Sequence, residues 1–208
     1  MPKLLAVLLL LVMSVLPAAA QLPAPPEGAT FMDPDPAAGA VFLDLDNERG
    51  VAKLERHLEK NPEDPRGWHA SAYRHSVARN SGQALADLEK ARALVGWSER
   101  SRRELLWSEG WINLNLGNYP AATAAWIEAA NTHGGQPHWV PSSYALLSEL
   151  VGDRKTALAW FALAAHNHPK VWDTRSGLLQ YTRFWHQRER EAALRLFEAH
   201  SAARDGDT

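Results

Sequence analysis

Beyond residue 45 the apolar positions of this chain recur at helical rather than alternating spacing, and Gly, Pro, Asn and Asp interrupt them at regular intervals. A first helix through Leu54 and Leu58 is predicted to start at an Asp46 or Asn47 cap and to stop at Asn61-Pro62. Asp64 is placed to cap the next, with Pro65 in its first turn, where a missing N–H costs nothing. Gly82 separates this helix from one containing Leu85, Leu88 and Ala91, which Gly96 ends. Ser101-x-x-Glu104 has the form of a capping box opening a helix through Leu105, Leu106 and Ile112 to Leu116. Gly117-Asn118 turns the chain into a partner helix reaching Ala130. The stretch from His133 to Pro137 is the longest loop between these elements. Helices are then expected from about Pro141 to Val151 and from Asp153 to His166, one capped by Asp173, and a last one from Arg188 to Ala203.

Within this series one phrase repeats. Gly117, Tyr119, Ala122, Trp126 and Ala129 return as Gly152, Ala157, Phe161 and Ala164, followed by Pro169, and a weaker copy holds Ala84, Leu88 and Ala91. Ala84, Ala122 and Ala157 occupy the same place at spacings of 38 and 35 residues. A small residue there lets two helices approach closely, and the large residue four positions later fills the gap to the next unit. Each helix pair alone leaves an apolar face uncovered, so neighbours must stack, and a period in the thirties marks a solenoid.

These units resemble tetratricopeptide repeats, a family built on a 34-residue helix-turn-helix unit. Trp68, Ala72, Ala84, Leu88 and Ala91 match in the first unit. Leu106, Gly110, Gly117, Tyr119, Ala122, Trp126 and Ala129 match in the second, and Ala145, Gly152, Ala157, Phe161, Ala164 and Pro169 in the third. His75, Asn113 and Ser148 stand where the family carries an aromatic residue, and Ser71, Glu109 and Tyr144 where it favours Leu. The resemblance spans about residues 47–200 and is strongest in the second and third units. It implies an all-α, right-handed α-solenoid of antiparallel helix pairs, about four to five in number, whose concave groove binds other polypeptides. By the same resemblance Arg66, His69 and Tyr73, then Trp107 and Trp111, then Trp139, Ser142 and Leu146 fall at groove-facing positions.

The ends of the chain divide it further. Residues 1–20 combine Lys3, a thirteen-residue uncharged run from Leu4 to Leu16, and Ala18-Ala19-Ala20 before Gln21. That is the form of an export signal, and the run is short of the roughly 20 residues needed to span a bilayer. Residues 21–45 hold Pro23, Pro25, Pro26, Pro34 and Pro36 with few large apolar side chains, and are expected to form an extended, unordered linker. The helical repeat domain is assigned to residues 46–203 and a frayed tail to 204–208. Loss of Lys3 with the signal reduces the 22 basic residues to 21 against 24 acidic, a net charge of −3 that attracts neither nucleic acid nor an anionic lipid surface. With no Cys in the chain, disulfides, thiol catalysis and Cys-ligated zinc are excluded.

Candidate chemistry is sparse. Nine His are present, but none stands in a ligand pattern with Asp, Glu or Cys, so no metal and no cofactor is expected. No nucleophile elbow or phosphate-cradling Gly loop occurs, and the chain is not expected to be an enzyme. Arg188-Glu189-Arg190-Glu191 reads as a solvated helix face, and Arg100, Arg102 and Arg103 as a basic cluster facing water. Tryptophan is in surplus, with nine in the chain. Trp68, Trp126 and Trp160 have core roles from their repeat positions. Trp107 and Trp111, four residues apart, share one helix face; they are expected to line the groove with Arg66, His69, Tyr73 and Trp139, the alternative being that both pack inside against an irregular terminal helix. The expectation is an exported adaptor, periplasmic in a Gram-negative bacterium, holding a protein or peptide partner, with no nucleic acid and no membrane span once the signal is removed. Two rival readings are a structural or assembly subunit acting through its convex face or ends, and a metal-dependent enzyme on the same scaffold.

Overall fold

The computed structural model describes residues 22–39, 45, 47–96, 98–183 and 185–206. The expected export signal over 1–20 lies outside them, as do Asp46, Trp97, Phe184 and the last two residues of the tail. The described chain is all-α and solenoid-like, with ten helices: α1 Glu48–Lys60, α2 Pro65–Val77, α3 Ser81–Leu94, α4 Glu99–Leu116, α5 Tyr119–His133, α6 Val140–Leu150, α7 Arg154–Asn167, α8 Pro169–Trp172, α9 Arg175–Tyr181 and α10 Gln187–Gly206. None of them is long and apolar enough to cross a membrane.

Local chemistry explains most boundaries. Asn47 and Asp64 accept backbone N–H groups at the starts of α1 and α2, and Pro65 sits in the first turn of α2. The capping box expected at Ser101 is displaced by one turn: Ser98 caps α4, accepting from the Ser101 backbone N–H. Thr174 rather than Asp173 caps α9, because the short α8 ends at Asp173.

The repeat register is legible in the turns between paired helices. Arg79, Gly117 and Gly152 each have positive φ, at 59°, 77° and 86°. Each lies five residues before a fully buried alanine: Ala84, Ala122 and Ala157. In each turn the next residue donates its backbone N–H to a carbonyl five residues earlier: Asn80 to His75, Asn118 to Asn113 and Asp153 to Ser148. This bond satisfies a carbonyl at the end of one helix as the chain enters the next. Two of the three turns use Gly for the left-handed position, and the first uses Arg79.

Pairs form as α2 with α3, α4 with α5 and α6 with α7, and α2 also packs broadly on α4. That regular stacking is not repeated between α4 and α6, which hardly touch. The third pair meets the second through α5, where the Tyr144 hydroxyl donates to the Trp126 carbonyl at 3.4 Å, while α10 folds back across both α6 and α7. The core accordingly falls into two parts. A small one joins Ala72, Leu88, Ala91, Leu105 and Ile112, and a larger one runs from α4 to α10.

Two charge patterns differ from expectation. Glu189 is 1% exposed rather than solvated, because the start of α10 turns inward: Arg188 pairs with Glu189 and donates to the Leu114 carbonyl at 2.7 Å. The Arg100–Arg103 cluster is not simply bathed in water either. Arg100 pairs with Glu104, Arg102 with Glu128, and Arg103, largely covered, lies 3.4 Å from the buried carboxylate of Asp35.

The linker expected over 21–45 is extended around residues 30–35, with turns at 26–29 and 35–38, and it is not a free tether. Residues 22–39 lie along the helices as a strap, with Phe31, Asp35 and Ala37 buried. The physical reason is that a few buried side chains act together with backbone hydrogen bonds that low apolar content does not reveal. Backbone groups of the strap pair with the 133–139 loop and with an indole N–H. Prolines also reduce the conformational entropy lost on docking.

Helices α4 and α5 approach closely at Gly110, where a Cβ would overlap the indole of Trp126. Gly110→Ala should therefore lower stability by about 1–3 kcal/mol through overpacking, although Ala is favoured over Gly in a helix by about 1 kcal/mol. Denaturant unfolding reads the sign directly. Arg79→Gly should do the opposite, relieving left-handed strain and raising stability by roughly 1 kcal/mol, measurable in the same titration.

Candidate binding surface

The first two predicted site residues are brought together. Arg66 and His69 line a cavity of about 510 Å³ bounded by the start of α2, the end of α3 and the start of α4. Asp64, Leu94, Val95, Arg100, Ser101 and Glu104 complete most of its wall. The local sequence accounts for the opening. Pro65 starts α2 abruptly, α3 ends at Leu94 with Val95 extended, and Ser98 restarts the chain as α4, so three helix ends meet without filling the space between them.

Charges at the rim are already paired. The Asp64 carboxylate accepts from the Arg66 guanidinium at 3.1 Å and from His57 at 2.9 Å. Burial alone would raise the Asp64 pKa, but the hydrogen bonds from the Arg66 side chain and backbone and from His57 outweigh it and hold the group below its ordinary value. The same bond to Asp64 raises Arg66. Across the opening Arg100 donates to Glu104 at 3.0 Å.

His69 is the unusual member. It is 2% exposed, yet neither ring nitrogen has a hydrogen-bond partner among the described residues. Burial pushes its pKa down to about 4, opposed by the charge on Asp64. A neutral imidazole thus sits in the cavity wall with one unused donor and one unused acceptor. Leaving such groups unmade carries a cost of about 1–3 kcal/mol, which a structure retains where something else satisfies them.

The other four predicted residues do not join Arg66 and His69 in one groove. Tyr73, one turn farther along α2, is half-buried against the smaller core. Trp107 and Trp111 are half-buried against the larger one, with their rings edge-on at 6.2 Å. Trp111 also meets Trp126 at 5.3 Å and Trp185 at 5.1 Å, so residues between α9 and α10 cover the face expected to be open. Trp139 is 3% exposed and its indole donates to Asp35 at 3.1 Å. Ser142 and Leu146, next on the same helix, are buried as well. The expected aromatic row is therefore divided between packing under the C-terminal helices and packing under the strap. The spacing of Trp107 and Trp111 announced a shared face. Nothing local in sequence announced that Trp185, 74 residues after Trp111, would close on it. Asp35 carries no signal of its own in sequence, and Phe31, free to dock, lies in a segment whose low apolar content favours disorder. Among the described residues no group of three or more His, Asp or Glu is placed to hold a metal ion.

The depressed pKa of His69 sets a pH dependence. The unfolded chain binds the His69 proton below about pH 6.5, the folded chain only below about pH 4. Between those values the unfolded state carries the extra proton, so stability falls as pH is lowered, by up to about 3 kcal/mol in total. His69→Gln should flatten that part of the stability curve, measured by urea unfolding from pH 7 to pH 4.

Comparison with protein-family models, with curated proteins and with solved structures finds no match for this chain.

Proposed function

We propose that this protein is a non-catalytic interaction scaffold of the cell envelope, a tetratricopeptide-like adaptor that binds a peptide segment of a partner protein. The cavity at Arg66 and His69 is where that segment enters. The observation that carries this reading is the cavity of about 510 Å³ where three helix ends meet, with Arg66 on its wall and, beneath its surface, both ring nitrogens of His69 unpaired among the described residues. A peptide group offers one N–H and one C=O, the complement of a neutral imidazole. The rim supports the same assignment: Arg66–Asp64 and Arg100–Glu104 present both signs of charge, and Leu94 and Val95 supply an apolar wall for a side chain. The stacked α2–α3 and α4–α5 pairs form the rigid walls that a peptide site needs.

The envelope assignment rests on Lys3, the run from Leu4 to Leu16 and the small residues Ala18-Ala19-Ala20. On this reading the mature chain begins at or near Gln21 and is exported, with the periplasm of a Gram-negative cell proposed as its address. Intact-mass measurement of the protein recovered from the envelope fraction tests it, and Met1 retained on membrane-embedded protein refutes it.

Binding is tested by quantitative co-purification from native envelope with the full chain and two variants, His69→Phe and Arg66→Ala. A partner that enters the cavity should be recovered at least tenfold less with His69→Phe, which fills the space, and several-fold less with Arg66→Ala, a loss of roughly 1–2 kcal/mol in a site of this kind. Glu198→Ala, on an exposed face of α10, should leave recovery unchanged. Equal recovery with all three variants would remove the cavity from the account.

A further inference from the structure

A second surface of the molecule is already occupied by a peptide, and that peptide is the chain's own strap. Its fit follows a simple pattern. Phe31 is buried edge-on against Trp160 with ring centres 5.6 Å apart. Two residues on, Asp33 pairs with the 133–139 loop. Its N–H donates to the Gln136 carbonyl at 3.0 Å, its carbonyl accepts from the His138 N–H at 3.1 Å, and its carboxylate accepts from the Gln136 N–H at 2.7 Å. Two residues further, the Asp35 carboxylate is 5% exposed, accepts from the Trp139 indole at 3.1 Å and lies 3.4 Å from the Arg103 guanidinium. Upstream, the Pro23 carbonyl accepts from the Trp160 indole at 2.8 Å.

These bonds are made to α4, α6, α7 and the loop before α6, by residues about 70 to 140 positions distant in sequence. Their geometry depends on the strap's extended backbone and on three side chains at alternate positions, the hallmark of a peptide read by backbone pairing with pockets for every second residue. The surface supplies one aromatic slot, one backbone edge and one buried cation, and the aspartate matched to that cation is buried with it. A tethered occupant is held at an effective concentration in the millimolar range, so it blocks weaker competitors without needing high intrinsic affinity.

We propose that the surface formed by Arg103, the 136–139 loop, Trp139 and Trp160 is a recognition site for extended segments of the pattern aromatic-x-Asp-x-Asp in another protein, occupied in this state by the chain's own strap as a competing ligand. The partner's segment displaces the strap, pairs its backbone with residues 136–138, and places its second aspartate against Arg103 and the Trp139 indole. The site is separate from the cavity at Arg66 and His69 and stands whether or not that cavity binds.

The test uses a fluorescently labelled synthetic peptide of residues 22–39 and the full chain. In the wild-type chain the strap competes and binding of the peptide is weak. Asp35→Ala in the chain loosens the strap, and peptide binding measured by anisotropy should tighten at least tenfold. Phe31→Ala in the chain should act in the same direction, with far-ultraviolet circular dichroism reporting that the helices persist. A peptide carrying Phe31→Ala or Asp35→Ala should bind neither chain variant. Adding Arg103→Glu to the Asp35→Ala chain should abolish binding of the natural peptide and restore binding of a peptide carrying Asp35→Lys. The proposal is overturned if the natural peptide binds the loosened chains no better than the wild type, or if its binding ignores Phe31 and Asp35. It is also overturned if light scattering finds the wild-type chain dimerising by exchange of straps, which would make a second copy the occupant.

Discussion

The contact between the Trp126 indole and the bare backbone at Gly110 fixes the position of α4, and most of the molecule is arranged around α4. The indole N–H donates to the Trp107 carbonyl at 3.2 Å, so the ring is both wedged and tied to the helix it lies on. Outward from there, Asn115 reaches Ser76 on α2, and Glu109 receives two hydrogen bonds from Arg92 on α3. Arg103, near the start of the same helix, lies against Asp35 of the strap. A helix with Ala or larger at the Gly110 position would stand off from α5, and each of these links would have to be remade.

Ring stacking performs in the second half of the chain what small residues do in the first. Between α2 and α4 the backbones approach closely enough for ordinary repeat stacking. From α4 onward aromatic rings pack within the pairs and onto the C-terminal segments: Trp111 on Trp126 inside the second pair, Tyr144 on Trp160 inside the third, Phe161 on Trp172 of α8, and Trp111 on Trp185 before α10. Edge-on rings of this kind contribute roughly 0.5–1.5 kcal/mol per pair beyond the area they bury. The tryptophan surplus is thus structural in large part, and it marks where the array departs from regularity.

Much of this was readable in the residues. The helical period and the turn residues gave the elements. The alanines at 84, 122 and 157 gave a register that the repeated left-handed turns reproduce, because close packing and turn geometry are both local demands on residue type. Arg66 and His69, expected at the edge of a groove, line a cavity between helix ends instead. What escaped was non-local. A spacing of four residues puts Trp107 and Trp111 on one face but carries no information about Trp185. The alternating charges at 188–191 describe a polar sequence, not which of its members turns inward to Leu114. The strap escaped for a different reason. Hydrophobic content measures what a segment gains by burying side chains, whereas this one, apart from Phe31, is held through its carbonyls, amides and the carboxylates of Asp33 and Asp35.

The folding back of α10, with Arg188 reaching Leu114 and Trp185 stacked on Trp111, changes the kind of object this array is. An open solenoid behaves as a one-dimensional chain of units, each stabilised only by its neighbours, and it can fray from either end or be lengthened by one more copy. Here the last helix is fastened to the second pair, across the third. Release of the C-terminal end therefore uncovers Trp111 and Leu114 in the middle of the array, so its end and its centre are coupled. The number of units is set by that closure: an inserted repeat would carry Trp185 and Arg188 away from their contacts.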